Sequence, residues 1–105
     1  MVAPLAGIRV IEVGQALAGP LAGVILAEMG ADVIKVEKPD GGDDARLWGP
    51  PFIDDTAVFF HVMNRDKRSV SLDLKNPADI ERLKGLAREA DILIQNLRPG
   101  IVEEL

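Results

Sequence analysis

The 105-residue sequence contains no cysteine, which excludes a disulfide framework, a thiolate zinc site and a cysteine nucleophile. Long apolar runs are also missing. None approaches the ~20 residues that a membrane-spanning helix needs, so no membrane partner is expected. The opening Met1-Val2-Ala3-Pro4 has no basic segment ahead of a hydrophobic stretch, so no signal peptide is read and a cytoplasmic location is expected. Basic residues are outnumbered: 12 Lys and Arg against 17 Asp and Glu give a net charge of -5, which argues against a nucleic-acid partner. A small anionic ligand is still allowed, because a few local cations outweigh a distant negative surface. There is no internal repeat and no low-complexity segment.

What is present is an ordinary soluble composition, 48% apolar and 28% charged, in a chain long enough for one small domain. Ile8 to Val13 reads as a short, mostly buried strand running into the small-residue loop Gly14 to Gly19. Pro20 suits the first position of a helix, where its missing N–H costs nothing. From Pro20 to Met29 only Glu28 is polar, so that helix is expected to be buried on most sides, and Gly30 stops it. Val33 to Val36 is a second strand, completing a βαβ unit in about 30 residues. Val70 to Leu74 alternates apolar and polar residues as a third strand. Asn76 caps the next helix with Pro77 at its first position, and Ile80, Leu83, Ala87 and Ala90 form its apolar stripe. Asp91 to Gln95 is a fourth strand. The order predicts an α/β fold with a parallel, Rossmann-like sheet.

Between the second and third strands lies an insertion of about residues 39–68, containing Gly41, Gly42, Pro50, Pro51 and a short apolar segment, Val58 to Met63, that suits a helical turn. Connections this long in a small domain are usually functional or pack on a partner. Ile101 to Leu105 resembles a helix cut short after one turn, and the half-sheet wants further protein over it. The expectation is a partial domain spanning residues 1–105.

Glycines 14, 19 and 23 do not have the spacing of a dinucleotide fingerprint and suit a tight turn with close helix packing. Lys38, Lys75 and Arg98 each follow the carboxyl end of an expected strand, which is where open α/β sheets bind ligands. Three cations there would suit an anion with several phosphates. Spacing alone leaves open that they are merely solvated, and Asn96 could serve a ligand or cap its loop. His61, the only histidine, has no carboxylate at catalytic spacing and reads as structural. Trp48 reads as packing for the insertion. Asp43, Asp44, Asp54 and Asp55 show no recurring ligand spacing and read as a solvated acidic loop, so no metal is expected.

Six ordered segments carry a resemblance that spans essentially the whole chain. They are Pro4 to Val10 with Leu17-Ala18-Gly19-Pro20; Gly30 to Glu37; Gly42 to Arg46 with Trp48 to Phe52; Asn64 to Ser69; Leu72 to Lys75; and Asn96 to Gly100. Together they resemble the N-terminal part of class III CoA-transferases of the CaiB/BaiF type. The resemblance implies half of a CoA-binding Rossmann-like domain and an enzyme that moves CoA from an acyl thioester to a carboxylic acid. It also implies an interlocked homodimer and nucleophilic catalysis by an aspartate carboxylate, which divides one acyl exchange into easier steps. That aspartate lies beyond residue 105, so no catalytic residue is expected here and the isolated chain is expected to be inactive.

The implied CoA-binding positions are Leu17 and Ala18, Lys38, Leu72, Asp73, Leu74 and Lys75, and Asn96, Leu97 and Arg98. Lys38 stands where some relatives carry arginine, keeping charge but losing the fork. Leu97 replaces a commoner aromatic, and Glu104 replaces a basic residue, so no phosphate contact is assigned to it. An α-methylacyl-CoA racemase shares this fold and CoA site, and a non-catalytic CoA- or nucleotide-binding fragment is a further alternative. A nicotinamide oxidoreductase is a remote one.

Overall fold

In the computed structural model, which describes residues 3–105, four parallel strands form the centre of the chain. Met1 and Val2, the start of the segment searched for a signal peptide, lie outside the described residues. The order is β1 (Arg9–Val13), α1 (Ala18–Glu28), β2 (Asp32–Glu37), a 3-10 turn (Asp44–Leu47), β3 (Phe52–Ile53), β4 (Thr56–Ala57), α2 (Val58–Met63), β5 (Arg68–Ser71), α3 (Pro77–Arg88), β6 (Ile92–Gln95) and α4 (Ile101–Glu104). The main sheet runs β5-β2-β1-β6, so the first strand is central and the next two lie to one side of it. This is the first half of a doubly wound order, as the βαβ pattern requires.

Side-chain alternation divides the core between two faces. Ile11, Val13, Ile34 and Val36 point to one face, where Leu72 and Leu83 of α3 close over them. Val10 and Val33 point to the other with Ala27 of α1 and Ala31. Glu12 and Lys35 share this second face and sit opposite each other in the register of β1 and β2. Asn76 caps α3 by accepting from the Ala78 N–H, with Pro77 at the first position.

Two expectations are corrected. The third strand does not span Val70 to Leu74 but Arg68–Ser71. Leu72 still donates to Glu37 O at 2.9 Å, but Asp73 then turns the chain: its carbonyl accepts from Asn76 N and its side chain from Lys75 N, each at 2.9 Å. This local turn ends the strand despite the continuing alternation. The first helix, in turn, is not buried on most sides. Gly19, Pro20, Gly23, Val24 and Ala27 are buried, whereas Leu21, Ile25 and Met29 are exposed. Its uniformly apolar sequence conceals which side meets the sheet. In the insertion, β3 and β4 form a small antiparallel ladder that the sequence did not announce.

Candidate functional site

A cleft of about 200 Å³ opens at the carboxyl ends of the parallel strands. One wall is Val13, Gly14 and Gln15 after β1; another is Val36, Glu37 and Lys38 after β2. The turn after β5 supplies Leu72, Asp73, Leu74 and Lys75, and Leu97 after β6 closes it. Of the expected CoA residues, Lys38, Leu72 to Lys75 and Leu97 therefore meet in one place, whereas Leu17, Ala18, Asn96 and Arg98 are outside its lining. Leu17 stands at the start of α1, half exposed, and Arg98 is at the surface.

The cations differ in availability. Lys38 Nζ donates to Asp44 Oδ1 at 2.7 Å in the open, which raises its pKa, so Asp44 competes with an incoming anion for its charge. Among the described residues Lys75 and Arg98 form no ion pair. The carboxylates facing the cleft are largely accounted for internally. Glu37 accepts from Arg46 Nε at 2.9 Å and Arg46 Nη2 at 2.7 Å, from Asp43 N at 2.8 Å, and from the Ser69 hydroxyl. Burial by itself would raise the Glu37 carboxyl, but these donors outweigh it and hold the pKa at about 2. Asp73 accepts from its own turn at Lys75 N.

Asn96 does not cap its own loop. Its Oδ1 accepts from Gln15 N at 3.1 Å and its Nδ2 donates to Gln15 O at 2.9 Å, so the whole carboxamide serves the β1–α1 loop. Gly14 is needed for this approach, because a Cβ there would stand 2.4 Å from Asn96 Oδ1. Ala16, two residues on from Gly14, has φ 67°, a left-handed conformation costing about 1–2 kcal/mol outside glycine. Its N–H is held by the Asp43 carboxylate at 3.1 and 3.2 Å.

Asp43 is thus not part of a solvated acidic loop. It is 3% exposed and lies 2.9 Å from Lys35 Nζ, which is itself buried. Lys35 also donates to Glu12 Oε2 and to Gly14 O, both at 3.0 Å. On the far side of Glu12, Lys67 Nζ lies 2.6 Å from Oε1, though not aligned as a hydrogen bond. Lys67 donates to Pro20 O at 2.9 Å and Asn64 Oδ1 at 2.8 Å. Burial lowers the Lys67 pKa against the opposing pull of Glu12. The result is a chain of alternating charge, Lys67–Glu12–Lys35–Asp43, neutral as a whole and fully enclosed, as buried charges must be.

None of these four residues was singled out for this role from the sequence. The available signal was a charge set between apolar neighbours in each of two strands, Glu12 between Ile11 and Val13 in β1 and Lys35 between Ile34 and Val36 in β2, of opposite sign. Asp44, by contrast, does lie at the surface on Lys38, and Asp54 and Asp55 are exposed in the turn between β3 and β4. His61 is exposed on α2, its Nε2 3.4 Å from Ile53 O. Trp48 stacks at 5.7 Å on Phe59, within the insertion.

Residues 5–105 match the model of CoA-transferase family III. The chain belongs to that family. A succinate–glutarate CoA-transferase of Agrobacterium fabrum is 52% identical, in a match covering 90% of this chain and 25% of that protein. Human succinyl-CoA:glutarate CoA-transferase is 40% identical over 92% of this chain and 22% of its own length. Among solved structures, a CAIB/BAIF family protein from Brucella suis superposes with a TM-score of 0.93 at 44% identity, covering 99% of this chain and 28% of that one. A β-ketoacyl-ACP reductase structure, 20% identical with a TM-score of 0.59, shows only the shared fold. This family III chain spans about a quarter of the length of the curated relatives it matches.

Proposed function

We propose that the complete protein transfers CoA between an acyl-CoA thioester and a carboxylic acid, and that this chain supplies part of its CoA site. The observation that carries this is the meeting of Lys38, Leu72 to Lys75 and Leu97 in one cleft at the strand ends. Three chain segments distant in sequence bring them there, in a chain of this family. Lys75 and Arg98 supply charge for phosphates, and Lys38 does so in competition with Asp44. Leu72, Leu74 and Leu97 supply apolar contact for the base. Asn96 contributes by holding the first loop, with its carboxamide on Gln15, and Leu17 and Ala18 lie where that loop enters α1.

The aspartate nucleophile belongs to residues outside this chain. Asp43 and Asp73 are committed to internal hydrogen bonds and do not take that role. A cytoplasmic homodimer remains part of the proposal. The relatives reported above are transferases, so racemisation is not carried forward. Their names point to short dicarboxylic acids as acceptor and donor, and succinate and glutarate are the first to test. Full-length protein incubated with succinyl-CoA and glutarate should form glutaryl-CoA, followed by chromatography of the thioesters. Absence of exchange with every short carboxylic acid offered, in a folded protein, would contradict the proposed activity.

A further inference from the structure

The β1–α1 loop, Gly14 to Leu17, has almost nothing of its own to hold it. Gly14 O is bound by Lys35, Gln15 N and O by Asn96, and Ala16 N by Asp43. These clamps come from β2, from the segment after β6 and from the start of the insertion. Only the left-handed Ala16 depends on a carboxylate for its N–H, and that carboxylate sits on the buried end of the charge chain. The other end of the same chain, Lys67, closes the insertion and grips Pro20 O in the first turn of α1. The two ends of the insertion thus hold Ala16 of the loop and the first turn of the helix that follows it.

Taking CoA as the ligand from the reading above, we propose that Asp43, seated on Lys35, is a positioning residue that fixes the Gly14–Leu17 loop in its ligand-receiving shape. Asp43 Oδ1 accepts from Ala16 N and Ala45 N, and Oδ2 faces Ala16 N and Lys35 Nζ. Three donors, Ala16 N, Ala45 N and Lys35 Nζ, take up most of the roughly four acceptor positions of the carboxylate. Asp43 borders the cleft, but its side chain is buried against these donors, so it acts through the loop. The loop in turn forms a wall of the cleft through Gly14 and Gln15, across from Leu72 to Lys75. When the clamp is lost, Ala16 relaxes toward ordinary backbone angles, and that wall moves with it. A long connection between β2 and β5 then has a local purpose: its first residues complete the loop, and its last hold the helix that follows.

The test uses the full-length protein, with Asp43→Ala and Asp43→Asn. It reads amide hydrogen exchange at Gln15 and Ala16, CoA affinity by calorimetry, and cooperative melting. Wild-type Ala16 should be strongly protected. In Asp43→Ala its exchange should accelerate at least tenfold and CoA should bind at least tenfold more weakly. Asp43→Asn keeps an oxygen for Ala16 and Ala45 but loses the charge opposite Lys35, and should fall between. A purely structural role would lower melting without loosening this loop selectively. A wild-type Ala16 amide exchanging at the unprotected rate would overturn the proposal, as would a folded Asp43→Ala with unchanged CoA affinity. If Asp43→Ala does not fold, Asp43→Asn decides, and unchanged affinity there overturns it. A wild type that binds no CoA would instead defeat the CoA reading, while the exchange comparison would still decide whether Asp43 holds the loop.

Discussion

Gly23 of α1 rests directly on the carboxylate of Glu12 in β1: a Cβ at position 23 would stand 2.0 Å from Glu12 Oε1 and 3.1 Å from Lys67 Cε. Alanine is the better helix former by about 0.5–1 kcal/mol, so intrinsic propensity alone would make Gly23→Ala stabilising. The added methyl must instead displace a carboxylate with no solvent exposure, pinned between two lysines. Overpacking of that kind costs about 1–3 kcal/mol and outweighs the propensity gain. Denaturant unfolding should show Gly23→Ala to be less stable by about 1–2 kcal/mol. A more stable variant would show that Glu12 and Lys67 are not confined as described.

The acid limb of stability should carry a contribution from Glu37. Its folded pKa is about 2 against an ordinary 4.5, so the folded state favours the carboxylate. That stabilisation is present above the unfolded pKa and is lost as pH falls from 4.5 toward 2. With the group nearly buried, it is on the order of 2–3 kcal/mol. Unfolding free energies measured across that window should fall for the wild type and be flatter for Glu37→Gln. Parallel curves would mean that the Arg46, Asp43 and Ser69 donors do not favour the ionised form.

Much of the fold was legible because the apolar periods are strong and the stops are clean. Asn76 with Pro77 fixed the start of α3, and β1 and β2 were read within a residue or two. The end of β5 was not, because the alternation through Leu74 continues past a turn made by the Asp73 side chain. The orientation of α1 was hidden by a sequence apolar on every side. Lys38 and Lys75 could be placed beside the cleft because strand ends can be located from the strands themselves, whereas Leu72 to Leu74 and Leu97 came only with the family resemblance. The charge chain was missed because pairing Glu12 with Lys35 requires the register, and burying Asp43 requires the path of the insertion. Acidic loop residues read one at a time look solvated.

The exposed side of α1 has a solution consequence. Leu17, Leu21, Ile25 and Met29 follow one another at four-residue spacing and are 51%, 40%, 45% and 44% exposed. Such a stripe favours association in water. The 105-residue chain alone should show a weight-average mass that rises with concentration in light scattering or sedimentation. Leu21→Lys combined with Ile25→Glu should suppress the rise. A monodisperse native chain over a wide concentration range would contradict this.

The most direct test of the CoA site is titration calorimetry of CoA into full-length protein, wild type against Lys75→Ala and Arg98→Ala. Both side chains are exposed and form no ion pair among the described residues, so their removal should leave the fold intact. Losing a charge-assisted hydrogen bond to a phosphate should weaken binding by about 1–3 kcal/mol, roughly 5- to 150-fold in Kd. Added salt should weaken the wild type more than either variant, because screening acts on the charge that was removed. Repeating the titration with dephospho-CoA should show which cation serves the phosphate it lacks: the variant of that cation should lose little further affinity. The expected result is two folded proteins with clearly weakened CoA binding and a reduced salt dependence. Two folded variants that bind CoA as tightly as the wild type would contradict a CoA site at these strand ends.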